Sequence, residues 1–149
     1  VGRGSDGGRL KTAARARGLS DVVFVDESDP DEIPDLYAQC SVGIVALDPR
    51  HQSHNIPGKF LTYIQSGLPG LANVNAGNDL AALIRREQVG QVCESNDVEQ
   101  LARMAETLLS QISTDLALPV RCSQLFARQF SVEQAVCQIL TALMHSKRD

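Results

Sequence analysis

Four short apolar runs, each separated from the next by a stretch of helical periodicity, constrain this chain more than any other feature. They are Val22 to Val25, Val42 to Leu47, Gly70 to Val74 and Val89 to Cys93. Their length and branched aliphatic content fit buried strands, and no hairpin signal joins one to the next. Strands without hairpins must be connected by crossovers. The pattern therefore predicts an α/β fold, a Rossmann-like parallel sheet with helices on both faces. Composition agrees: 43% of the 149 residues are hydrophobic, only 4% are aromatic and none is Trp, so the core is aliphatic, as a sheet covered on both sides requires.

The intervening stretches read as helices. Leu10, Ala13, Ala14 and Ala16 form an apolar face that ends at Gly18, and Ile33, Leu36, Tyr37 and Cys40 mark a short helix opened by Pro34. Leu80, Ala81, Leu83 and Ile84 follow the turn Asn75 to Asn78. Asp97 with Gln100, and Ser131 with Gln134, are capping-box patterns ahead of two longer amphipathic helices, and Pro119 opens another that runs to Phe130.

The segment Ser53 to Gly70 carries the strongest sign of a site. Asn55 to Gly58 supply a turn, Pro57 suits the first turn of a helix, Phe60, Leu61 and Ile64 recur at helical spacing, and Gly67 closes the helix. A helix start presents unpaired amides and partial positive charge, to which Lys59 adds a full charge, so its natural guest is an anion such as a diphosphate. The plainer alternative is an ordinary connection between helix and strand. A second glycine-rich turn, Gly2-Arg3-Gly4 with Ser5, Gly7 and Gly8, lies where a nucleotide-binding turn belongs, although it is not the Gly-x-Gly-x-x-Gly of a dinucleotide fold. The ligand end of such a sheet comprises the loops Gly2 to Gly8, Asp26 to Glu32, Leu47 to Lys59 and Asn75 to Asp79.

Other chemistry is disfavoured. A net charge of -4, from 14 basic and 18 acidic residues, argues against a protein that coats nucleic acid. Cys40, Cys93, Cys122 and Cys137 have neither zinc nor disulfide spacing, and their apolar settings predict buried, reduced thiols. His51 and His54 beside Asp48 lack a third ligand at sensible spacing, so no metal site is expected. No apolar run approaches the ~20 residues of a membrane span, and no signal peptide is expected. Neither a nucleophile elbow nor a P-loop occurs. The opening Val1-Gly2-Arg3-Gly4 reads as the tail of a strand entering a loop, which suggests a chain truncated at its N-terminus.

The Gly2 to Gly4 turn, the segment Ala38 to Leu47 and above all Pro57-Gly-Lys-Phe-Leu-Thr-Tyr-Ile-Gln-Ser-Gly-Leu-Pro69 resemble the C-terminal, donor-binding domain of family 4 glycosyltransferases, and the match spans nearly the whole chain. The resemblance implies one half of a two-domain GT-B fold, with residues 1–149 holding the nucleotide sugar and an acceptor domain upstream. Among look-alikes are bacterial enzymes of surface-polysaccharide synthesis, including transferases of fucosamine-type sugars from a UDP carrier. It further implies a cytoplasmic, anomer-retaining, metal-independent enzyme without a separate cofactor. The upstream half would receive a lipid-linked saccharide and make any peripheral contact with the inner membrane.

The family's usual signature is a glutamate, seven residues and a second glutamate; in this register His54 and Thr62 replace the two acids. By the resemblance, Lys59 and the amides of Ile56, Pro57, Gly58 and Lys59 face the diphosphate, with Asn55 in the turn before them. Gly4 and Ser5 line the nucleotide side, His54 stands near the sugar and Thr62 near the ribose. Loss of both acids favours one alternative, a non-catalytic nucleotide-sugar-binding module. A UDP-sugar epimerase half is another, although the Leu47 to Lys59 loop has no carboxylate beyond Asp48.

Overall fold

The computed structural model describes residues 6–25, 27–48 and 55–145. Two compact units are distinguished, Val1–Leu36 and Tyr37–Asp149. In the first, helix α1 (Gly7–Ala16) ends in Arg17, and Gly18 follows in the left-handed region. Gly7 and Gly8 thus form the first turn of α1, correcting the expectation that they belong to a ligand loop.

Val22 to Val25 adopt no strand, which overturns another expectation. Among the described residues no ladder includes them, and all four side chains are exposed, Val23 at 79%. An apolar tetrapeptide becomes a strand only where a neighbouring edge satisfies its amides and carbonyls.

The next helix also starts differently. A 3-10 turn over Pro30–Glu32 leads directly into α2 (Ile33–Ala38). Asp29 accepts the Asp31 amide at 3.1 Å, and Glu32 accepts the Asp29 amide at 3.3 Å. Pro30 in this reciprocal cap, rather than Pro34, is the initiating proline, because its missing N–H costs nothing at a helix start.

The second unit holds the sheet. Strands β1 (Gly43–Ala46), β2 (Gly70–Asn73) and β3 (Gly90–Cys93) pair in parallel in that order among the described residues. Gly43, Gly70 and Gly90 are in register, as are Val45, Ala72 and Val92 on the same face. The crossovers are α3 (Gly58–Gln65) and α4 (Asp79–Glu87), the latter capped by the Asn78 side chain on the Leu80 amide at 2.9 Å. A Cβ at Gly70 would stand 2.8 Å from the Phe60 ring and 3.7 Å from the Ile84 methyl, so α3 and α4 cover that face.

Helix α5 (Val98–Thr114) covers the other face. Gln91 of β3 donates to Gln111 at 3.0 Å, and Cys93 donates to Gln100 at 3.7 Å. Helices on both faces bear out the expected fold class. Helix α6 (Leu118–Gln129) packs on α3, and α7 (Val132–His145) packs on α6. Phe60, Ile64, Leu80, Ile84, Leu108 and Leu125 are fully buried, each stabilising the fold by roughly 1.5–3 kcal/mol relative to exposure.

The thiols divide. Cys93 and Cys122 are buried, the latter pushed up to about 12 by burial, whereas Cys40 and Cys137 are exposed, contrary to expectation. Cys40 follows the end of α2, and Cys137 lies on α7, whose described side chains do not join the core cluster.

Candidate functional site

All three strands point their carboxyl ends the same way, so the segments entering α3, α4 and α5 gather at one end of the sheet. At β1 the ladder extends one step further through the Leu47 amide, which donates to the Asn73 carbonyl at 3.0 Å. Residues 49–54 lie outside the description, His51 and His54 among them, as do Gly4 and Ser5.

Pro57, extended at φ -63 and ψ 137, is the N-cap of α3 and has no side chain with which to close the helix end. The Phe60 amide turns back to the Pro57 carbonyl at 2.9 Å, while the amides of Gly58 and Lys59 donate to no described residue. Asn55, Gly58 and Lys59 are exposed and Ile56 is half-buried against the core. This helix start is thus an open, positively polarised surface. Pro57 has no N–H, so the amides available here are those of Ile56, Gly58 and Lys59. Thr62 lies one turn along, and its hydroxyl donates to the Gly58 carbonyl at 3.1 Å. That proton is used within the helix; only the oxygen lone pairs remain for a ligand.

Sequence reasoning missed a polar cluster at the ends of β2 and β3. Asn73 donates to Asn96 at 3.1 Å, and Asn96 takes a left-handed φ of 55. Glu94 accepts the Gly77 amide at 3.0 Å and pairs with Arg85. Arg85, opposed by burial and assisted by that amide, holds the Glu94 carboxyl below its ordinary value. The buried Oδ1 of Asn73 has no partner. The signal available beforehand was an asparagine closing an otherwise apolar strand, followed by a second asparagine-rich turn.

The first turn of α5 is tied to the same end. Asp97 accepts the Glu99 amide at 2.8 Å and the Gln100 amide at 3.2 Å. The expected reciprocal half of its capping box is replaced: Gln100 accepts the Ser95 hydroxyl and the Cys93 thiol instead. Burial would raise the Cys93 thiol, but hydrogen bonds from Ser95 and nearby amides outweigh it and set the thiol below its ordinary value. Among the described residues no group of three or more His, Cys, Asp or Glu is placed to hold a metal ion.

An open parallel sheet, helices on both faces and an exposed helix start at the carboxyl end define the class of Rossmann-like ligand-binding domains. A family model described as Glycosyl transferases group 1 matches residues 1–111. The chain belongs to this glycosyltransferase family, whose general partners are a nucleotide sugar and an acceptor. No curated protein and no solved structure matches the chain. None of the described helices is long and apolar enough to cross a membrane.

Proposed function

We propose that this chain is the donor-binding half of a retaining, metal-independent GT-B glycosyltransferase. It would take a hexosamine-type sugar from a UDP carrier for transfer to a lipid-linked saccharide held by a separate acceptor domain, in bacterial polysaccharide synthesis. The observation that carries this reading is the open start of α3, where the Gly58 and Lys59 amides and the Lys59 ammonium meet solvent at the carboxyl end of the sheet. Family membership supports the diphosphate of a nucleotide sugar as the anion for it.

In this reading the chain's contribution to catalysis is electrostatic. As the bond between sugar and diphosphate breaks, negative charge grows on the leaving oxygen, and fixed donors at that position lower the barrier. Lys59 and the amides of Ile56, Gly58 and Lys59 supply them. His54 is assigned to the sugar, Thr62 to the ribose as an acceptor, and Gly4 and Ser5 to the nucleotide. Replacement of both family glutamates by His54 and Thr62 leaves ribose recognition without a carboxylate.

Magnitudes set the expected affinity. A helix end contributes roughly 1 kcal/mol and a charged hydrogen bond about 1.5–3, against about 8 for micromolar binding. Residues 1–149 alone are therefore expected to bind UDP weakly, near the millimolar range, and to show no transfer. An amide chemical-shift titration with UDP, UDP-N-acetylglucosamine, GDP and NAD tests this. Shifts at Gly58, Lys59 and Thr62 with the uridine ligands are expected. A response to NAD alone would point to a dehydrogenase, and turnover by this chain alone would contradict the inactivity.

A further inference from the structure

A cavity of about 360 Å³ opens at the end of the sheet opposite the site described above, where α4 ends, β3 begins, α5 ends and α6 starts. Its size falls within the ~300–1,000 Å³ that small-molecule sites occupy. Gln88, Gln91 and Gln111, each carrying a primary amide, are among the residues that line it. The bond from Gln91 to Gln111 uses one donor of the first and the acceptor of the second, which leaves the Gln91 oxygen and the Gln111 amide protons available.

The cations at this cavity are already answered. Arg121 holds Asp115 through two bonds, 3.1 and 2.5 Å, and also donates to the Gln88 carbonyl at 3.2 Å. Arg85 pairs with Glu94. The cavity also lies at the C-terminal ends of α4 and α5 and at the start of α6, whose opposite partial charges offset one another, and at that start Asp115 already accepts the Ala117 amide at 3.1 Å. What remains is a neutral, amide-rich wall with donors and acceptors interspersed. One further donor, the Nε of Arg121, is buried there without an acceptor.

We propose that this cavity is a second binding site, for a neutral polyhydroxylated ligand of one or two sugar units. Each sugar hydroxyl both donates and accepts, the capacity the glutamine amides leave open, and with Arg121 and Asp115 paired an ionic ligand finds no unanswered charge here. The cavity lies at the other end of the sheet from the donor site, so its occupation is independent of the UDP reading. It would let the domain hold a saccharide chain away from the reacting sugar.

The test is an amide chemical-shift titration of the 149-residue chain with N-acetylglucosamine and with its β-1,4-linked disaccharide, beside sodium phosphate and sodium acetate as anion probes. The sugars are expected to shift Gln88, Gly90, Gln91 and Gln111 saturably in the millimolar range and to leave Gly58 and Lys59 unmoved. Gln111→Leu and Gln91→Leu, each at a side chain outside the core, should weaken that response about tenfold while the UDP response at α3 is kept. Unchanged amide-shift dispersion and an unchanged thermal midpoint show that the variants fold, whether or not UDP binds. A response to the anions alone, or none to the sugars up to about 50 mM, well past millimolar affinity, overturns the proposal.

Discussion

At Lys59 a full side-chain charge and the partial charge of a helix start coincide on exposed surface. Replacing it with alanine removes one charge-assisted hydrogen bond from the proposed diphosphate site and touches nothing in the core. Lys59→Ala is expected to weaken UDP binding about tenfold without moving the melting temperature, as read from the same titration and a thermal melt. An unchanged affinity would remove Lys59 from the site. Gly90 makes the opposite kind of demand: with φ at 156, a Cβ there would stand 1.9 Å from the Gly70 carbonyl oxygen. That neighbour is the backbone of the central strand and cannot swing aside. Gly90→Ala should therefore cost at least about 3 kcal/mol in denaturant unfolding, the upper end of ordinary overpacking. Gly58→Ala, whose added Cβ meets nothing within 4 Å, serves as the stability control. Pro57, Gly58 and Lys59 were legible in the sequence because each residue type has a local meaning at a helix start. The Asn73 to Asn96 bond joins residues 23 apart, and nothing local announces it.

Elements declared themselves where their signals were local and failed where they needed a partner. The apolar spacing of Phe60 and Ile64 and the caps at Asn78 and Asp97 identify α3, α4 and α5, since helix periodicity and capping are satisfied within a few residues. Val22 to Val25 looked equally convincing as a strand, yet a strand exists only through its neighbours, and composition does not say whether one is there. The helices of the second unit are also linked by ion pairs with a pH signature. The Glu87 carboxyl is held below its ordinary value chiefly by Arg86, with burial opposing and Arg128 assisting, the Glu94 carboxyl by Arg85, and the Asp115 carboxyl by Arg121. A carboxylate depressed in the folded state stabilises the fold fully above its unfolded value, 4.5 for the glutamates and 3.8 for the aspartate, and loses that contribution as pH falls through the folded value. The melting temperature should thus be insensitive to these groups from about pH 7 to about pH 5 and decline below about pH 4.5. Because Arg85 and Arg128 are well exposed, salt should flatten the decline, and Arg85→Gln should make it shallower. A profile level down to about pH 3 would show that the pairs contribute nothing.

Across the second unit, the aliphatic core is concentrated between the sheet and α3, α4, α5 and α6, and none of the described side chains of α7 enters it. Yet α7 carries Val132, Val136, Ile139, Leu140, Leu143 and Met144 exposed, Val132 at 75% and Met144 at 71%. Sequence periodicity identified α7 correctly as an amphipathic helix, but an apolar stripe says only that one face avoids water, not what lies against it. If the hydrophobic contribution to stability follows area removed from water, a helix that leaves its largest apolar side chains in solvent adds little to the fold that carries it. Deleting residues 132–149 is therefore expected to lower the melting midpoint by no more than about 4 °C, the equivalent of roughly 1 kcal/mol in a chain of this size. The same deletion should reduce the binding of an apolar dye such as anilinonaphthalene sulfonate, since it removes exposed hydrophobic surface. A fall of more than about 10 °C would mean that α7 supports the core. A small shift in midpoint with a large loss of dye binding would instead locate the unsatisfied apolar surface on α7.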